Sequence, residues 1–236
     1  MSARPLHREG VSPAHPAGED TRTTTTSALP VHPVRGRLNA AFFRLVDGYV
    51  HHLLGDRKAA LLAGLPSTVV EIGPGTGTNL RYYRPGTRLV AVEPNPHMHP
   101  ALRTAAARHG IDLEIRAVGA EATGLPAASV DAVVSTLVLC TVPDPAAAVA
   151  EVRRILRPGG RFVVIEHVAA PDATALGRAQ RVLRPAWRWA FEGCDLRRDT
   201  GGLLRAAGFA ELGLERHRLG SLFWPVDDQV TGVAIA

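Results

Sequence analysis

Glycines at positions 73, 75 and 77, in the run Glu71-Ile72-Gly73-Pro74-Gly75-Thr76-Gly77, let a backbone turn sharply and approach a ligand without side-chain interference. A dinucleotide fingerprint would place its third glycine at position 78, where this chain has Thr78. Glu71 also stands before the first glycine, where an acid repels a pyrophosphate and welcomes an ammonium or sulfonium. Sixteen residues beyond Gly77 comes Glu93, placed to accept hydrogen bonds from both hydroxyls of a ribose. The pattern points to a nucleoside ligand that carries positive charge.

Such residues need a scaffold, and the hydrophobic pattern supplies one. Thr68–Ile72 and Leu89–Glu93 read as buried strands on either side of the glycine turn and its helix. Asn95-Pro96 offers an N-cap with proline at the first helical position. Further strands are expected at 113–118, 130–138 and 162–165. A helix capped by Asp144-Pro145 carries the stripe Val149, Val152, Ile155 and Leu156, and Arg157-Pro158-Gly159-Gly160 ends it. Past Val168 the pattern predicts a long helical segment, a short helix near 203–207 and a hairpin of strands at about 209–218 and 229–235. Alternating strands and helices imply a mostly parallel α/β sheet covered on both faces.

Upstream, residues 1–35 are rich in Pro, Thr and Arg and read as a disordered leader. Residues 36–65 read as a helical cap: Leu38, Phe42, Leu45, Val46, Tyr49 and Leu53 recur at helical spacing, and a second short helix follows through Leu61 and Leu62. Residues 66–236 form the main domain. The net charge of +5 comes from 27 basic and 22 acidic residues, but Lys58 is the only lysine and the arginines are scattered. Base composition explains that skew better than a nucleic-acid partner does. Cys140 and Cys194 are far apart and lack metal-ligand spacing, so no metal is expected; a single disulfide stays open, with reduced thiols favoured. With no signal peptide and no spanning apolar run, a cytoplasmic protein is expected.

With its strand, glycine loop, helix, strand and acid in that order, the segment 66–170 resembles the class I S-adenosylmethionine-dependent methyltransferases. Ser129-Val130-Asp131-Ala132-Val133-Val134 and Leu156-Arg157-Pro158-Gly159-Gly160 resemble that family too. The resemblance implies a Rossmann-like, doubly wound, seven-stranded sheet and S-adenosylmethionine as cofactor. It implies that Glu71, Gly73 and Gly75 hold the methionine end and Glu93 the ribose, with Pro74, Gly77, Pro94, Thr136 and Leu137 beside them. Relatives place an aspartate near Gly119 for adenine; this chain lacks it, which leaves that contact to Ala120 or Glu121.

Ser135 to Val142, Ile165-Glu166-His167-Val168 and Phe191 to Leu196 resemble the subgroup that includes alkyl thiol methyltransferases. Membrane residence, a trait of relatives with an apolar N-terminal anchor, is not carried over to this polar leader. The acceptor expected is a small molecule, an apolar thiol first; O-, N- or C-methylation is the alternative, and a non-catalytic binding protein a further one. The oligomeric state stays open. His167 and Asp195 are the candidate catalytic groups, with Cys140 read as a pocket-wall thiol. Phe42, Phe43, Tyr49, Trp187, Trp189 and Phe191 are candidates for a lid.

Overall fold

The computed structural model describes residues 32–236; the leader expected over 1–35 lies mostly outside them. The elements follow in the order α1 (Pro33–Leu62), β1 (Thr68–Ile72), β2 (Arg88–Val92), α2 (His99–His109), β3 (Asp112–Arg116), β4 (Val130–Thr136), α3 (Pro145–Ile155), β5 (Leu156–His167), α4 (Ala175–Ala190), α5 (Thr200–Ala206), β6 (Glu211–Arg218) and β7 (Asp228–Ile235). They build one seven-stranded sheet in the order β3-β2-β1-β4-β5-β7-β6. The first five of those strands run parallel; β7 pairs antiparallel with both β5 and β6, which is the expected C-terminal hairpin.

Alternation along the inner strands divides the core into two layers. Val70, Ile72, Val90, Val92, Val133, Phe162 and Val164 pack with α3 and α5 on one face. Val69, Leu89, Ala91, Ala132, Val134 and Val163 pack with α2 and the end of α1 on the other. Strands buried on both faces place their carboxyl ends, and the loops that leave them, along one rim of the sheet.

Four local expectations are corrected. The helix expected after the glycine turn is only a three-residue 3-10 turn, Leu80–Tyr82. α1 is one continuous 30-residue helix that starts at Pro33, not a helix from Arg37 followed by a second short one. Gly55 does not break it, because its bare backbone packs on the His51 ring and the Tyr82 hydroxyl; a single helical glycine costs only about 1 kcal/mol. α2 starts at His99 rather than after Asn95, whose Oδ1 accepts from His97 N at 3.0 Å to close a turn. β5 begins directly at Leu156: its pairing with β4 jumps from Val130↔Leu156 to Ala132↔Arg161, so the Pro158-Gly159-Gly160 turn is looped out of the ladder.

Candidate active site

The glycine loop leaves β1 at the rim. Gly73, Gly75 and Gly77 all have positive φ, at 59°, 58° and 89°. A Cβ on Gly73 would lie 2.6 Å from both methyl groups of Val138, so the loop and the turn after β4 are in direct contact only because position 73 is bare. Gly73→Ala should therefore weaken donor binding at least about tenfold and lower stability by about 1–3 kcal/mol. Isothermal titration and urea unfolding would read the two effects separately.

Glu93 follows β2 and reaches back to the loop. Its Oε2 accepts from Gly75 N at 2.9 Å, and its Oε1 accepts from Asn95 N at 2.8 Å. The carboxylate is buried, and burial raises its pKa to about 7 against the two backbone donors that lower it. Each carboxylate oxygen can accept more than one bond, so both retain capacity for ribose hydroxyls. Pro94 continues the same turn. Asn95 Nδ2 donates to Gly36 O of α1 at 3.4 Å, which ties the cap to this acid.

Glu71, expected at the methionine end, is also engaged by the protein itself. It is fully buried, and its two oxygens accept from Asn79 Nδ2 and Tyr83 Oη, each at 2.7 Å. Asn79 Nδ2 also donates to Thr136 Oγ1 at 2.9 Å, so Glu71 fastens the loop to the end of β4. Burial raises the Glu71 pKa, tempered by Tyr83, Asn79 and the charge of Lys58. Lys58, buried in α1, is itself lowered to about 8 by desolvation. Asn79, Tyr83 and Lys58 were not anticipated; Asn79, a polar residue shortly after the third glycine, is the one with a sequence signal.

The turn after β4 is organised by Glu166, another buried acid that was not anticipated as a site residue. Its Oε1 accepts from Ser135 Oγ (2.6 Å), Val138 N (3.0 Å) and Leu139 N (3.1 Å). Leu137, at the start of that turn, takes a left-handed φ of 58°. Ala120 is buried in the core layer beneath, and Glu121 accepts from Asp144 N at 3.2 Å at the start of α3.

At the far side of the same turn the fold gathers Cys140, His167 and Cys194, all buried. His167 Nε2 lies 3.2 Å from Cys194 Sγ, and the two Sγ atoms are 3.6 Å apart. The hydrogen bond from Cys140 lowers the Cys194 pKa; the same pairing raises that of Cys140. Burial alone would lower His167, but the charge on Cys194 and its hydrogen bond raise it instead. His167 is thus committed to a thiol. Asp195, the other catalytic candidate, receives Arg184 Nε and Nη2 at 2.8 and 2.7 Å and Arg197 N at 3.0 Å. Burial alone would raise its pKa, yet those Arg184 and Arg197 bonds hold it below the usual range, and it serves as an anchor for α4 rather than a base.

α1 roofs this rim. Phe42 meets Phe191 and Phe223 edge-on at 5.5 and 5.6 Å, and Phe191 packs on Trp187 at 4.5 Å. Tyr49 Oη accepts from Leu222 N at 2.7 Å. Phe43 and Trp189 instead remain exposed, the latter under the Arg35 guanidinium. A separate cleft of about 370 Å³ between α1 and α2 is lined by Arg44, Asp47, Thr76, Arg81 and Arg108. It touches the loop at Thr76 and Gly77 but reaches neither Gly73 nor Glu93.

A parallel sheet closed by this antiparallel hairpin, with a glycine loop after β1 and an acid after β2, defines a class I S-adenosylmethionine-dependent methyltransferase. A methyltransferase domain family matches residues 70–164. Human thiol S-methyltransferase TMT1B is 38% identical over 195 residues, 81% of this chain and 80% of the relative. Human thiol S-methyltransferase TMT1A is 38% identical over 172 residues, 71% of this chain and 70% of the relative. A Thermotoga maritima S-adenosylmethionine-dependent methyltransferase of solved structure, 22% identical, shares the fold with a TM-score of 0.60 over 86% of this chain and 97% of its own. The chain belongs to the class I S-adenosylmethionine-dependent methyltransferases, in the family of these thiol S-methyltransferases. It is an enzyme, and S-adenosylmethionine is its methyl donor. The residues present suit that donor: bare glycine backbone at the loop and a buried acid across from it.

Proposed function

We propose that the chain methylates the sulfur of a small apolar thiol. The observation that carries this reading is the 195-residue similarity to a thiol S-methyltransferase, which is twice the span of the shared methyltransferase domain. It therefore extends to elements outside the donor pocket. When bound, the donor supplies an electrophilic methyl group on a cationic sulfur. The backbone of Gly73, Pro74, Gly75 and Gly77 receives its amino-acid end and Glu93, with Pro94, receives its ribose. Ala120 and Glu121 flank the base, and Thr136 and Leu137 border the methyl group.

The acceptor enters over the ends of β4 and β5, beneath the aromatic roof of Phe42, Phe191 and Phe223. That apolar cover excludes water and suits an alkyl chain. Holding sulfur and methyl carbon collinear is the main task, because a thiol with a free pKa of about 8.5 already supplies thiolate. Incubation with alkyl and aryl thiols, phenols and amines, read by product mass, should show methylated thiols first. Thiols that all stay unmodified while a phenol or amine is methylated would falsify the acceptor.

A nucleic-acid partner is not supported: Arg88, Arg154, Arg157, Arg184 and Arg218 each pair with a carboxylate instead of forming a free basic face. Free thiols at Cys140 and Cys194 support a reducing, cytoplasmic setting. Among the described residues no helix is long and apolar enough to cross a membrane.

A further inference from the structure

Cys140, His167 and Cys194 come from three separate elements: the turn after β4, the end of β5 and the turn after α4. Their ligand atoms all lie within 4.8 Å of one another. The two measured edges, 3.6 Å between sulfurs and 3.2 Å from sulfur to nitrogen, are close to those of a tetrahedral metal site. Zinc with bonds of about 2.3 Å to sulfur and 2.0 Å to nitrogen spaces its ligands about 3.5–3.8 Å apart. On those two edges the ligand atoms would need to move only by tenths of an ångström.

The backbone beneath is held mainly by other groups, with one long bond from Cys140 Sγ to Leu137 O at 3.6 Å. Cys140 O accepts from Asp195 N at 2.9 Å and from Arg198 Nη2 at 3.3 Å. His167, by contrast, is poorly satisfied: Nδ1 is buried without a partner, and Nε2 meets only sulfur. Burying an imidazole on those terms is unfavourable, and a bond from Nε2 to a cation offsets it.

We propose that Cys140, His167 and Cys194 bind a thiophilic divalent cation of the zinc class, whose fourth position receives the acceptor thiol. Two sulfurs and an imidazole select such an ion over magnesium or calcium, which take oxygen. Among the described residues no fourth His, Cys, Asp or Glu joins the cluster, and neighbouring Asp195 is held by Arg184. Three protein ligands with one position open is the composition of reactive rather than structural zinc. The cluster also adjoins the donor side, because the turn that carries Cys140 touches the glycine loop through Val138.

The acceptor half of this inference rests on the thiol reading above. Each cysteine releases its proton on binding the ion, and the acceptor thiol releases its own to solvent as its sulfur coordinates. The sulfur lone pair then forms the new bond to the methyl carbon. The sulfonium bond to that carbon breaks with its electron pair left on the donor sulfur. Thiolate and sulfonium become two neutral thioethers, with no change in oxidation state.

The test loads the chelator-treated full chain with cobalt(II) and, in parallel, with zinc. About one equivalent should bind, with the thiolate-to-cobalt charge-transfer band and strong visible bands of a tetrahedral site. Cys140→Ser, Cys194→Ser and His167→Gln should each weaken binding by more than about 100-fold while donor affinity shows the fold intact. Adding octanethiol should shift the visible bands. Absence of the charge-transfer band in the unsubstituted chain overturns the site, and that readout needs no variant to fold. A tetrahedral cobalt band that thiols do not perturb overturns the open position. Neither outcome touches the thiol reading, which product mass tests by itself.

Discussion

Glu93→Ala should weaken S-adenosylmethionine binding by about 100- to 10,000-fold and abolish turnover at ordinary donor concentrations. The estimate rests on two hydrogen bonds to a charged acceptor, each about 1.5–3 kcal/mol. The fold should survive, because two costs oppose each other. A carboxyl that titrates at about 7 rather than 4.5 costs about 3 kcal/mol when ionised in the folded chain. That penalty is absent below about 4.5, grows as pH rises and is complete above about 7, and alanine removes it. Against it, Gly75 N and Asn95 N lose their acceptor, at about 1–3 kcal/mol each. Calorimetric titration should show the lost affinity, with a melting temperature within a few degrees of the unsubstituted chain. The same group sets a pH dependence: the ionised form is the better acceptor, so donor affinity should rise with pH through about 7 and then level off. A variant that binds the donor as tightly as the parent would remove Glu93 from the site.

Glu166→Ala should unfold or severely destabilise the chain, by about 3–9 kcal/mol, whereas Glu166→Gln should cost only about 1–3 kcal/mol. The contrast follows from one atom. Oε1 alone accepts from Ser135 Oγ, Val138 N and Leu139 N, while Oε2 has no partner. Alanine strands three donors in a buried region, at about 1–3 kcal/mol each if unrelaxed. Glutamine keeps the accepting oxygen. Burial raises the Glu166 pKa against the Ser135, Val138 and Leu139 bonds that lower it, and the amide sets a buried NH2 where Oε2 has no partner. Urea unfolding of both variants checks the stability difference. Donor affinity of the glutamine variant checks the turn itself, because Val138 is what the glycine loop leans on. Equal damage from both substitutions would mean that the accepting oxygen is not what holds the turn.

Much of this architecture can be read from local patterns. Strands β1, β2 and β4 declare themselves as apolar runs because parallel strands are buried on both faces. The Asp144 cap of α3 is a local device, and Ala147 N donates to Asp144 Oδ1 at 3.0 Å as that reading requires. The helices are less clear at their ends. Asn95-Pro96 has the same local chemistry as a cap, but Asn95 is drawn instead into a turn beside Glu93 and into contact with α1. In the same way, of the two groups that Gly55 packs on, only His51 is close in sequence; Tyr82 comes from beyond β1.

The site divides along the same line. A glycine loop and the acid after the next strand are close in sequence and lie on two adjacent parallel strands, so their meeting follows from spacing. Phe223 completes the roof around Phe42 and Tyr49 from a loop more than 170 residues away, and no local signal marks it. Glu71 has the residue type expected of a donor ligand, and only the fold brings Asn79 and Tyr83 onto its two oxygens. Asp195 looked as available as any acid until Arg184 was placed against it.

By itself, then, the sequence determined the nucleoside-binding unit, since periodicity, glycine spacing and an acid after β2 act over short range. Only the tertiary structure decided which carboxylates are free, which aromatics cover the rim, and that Cys140 and Cys194 meet at His167. Those outcomes depend on which strand lies beside which. In this sheet β4 and β5 are neighbours, and the turn after α4 folds back onto their carboxyl ends, which brings together residues 54 positions apart.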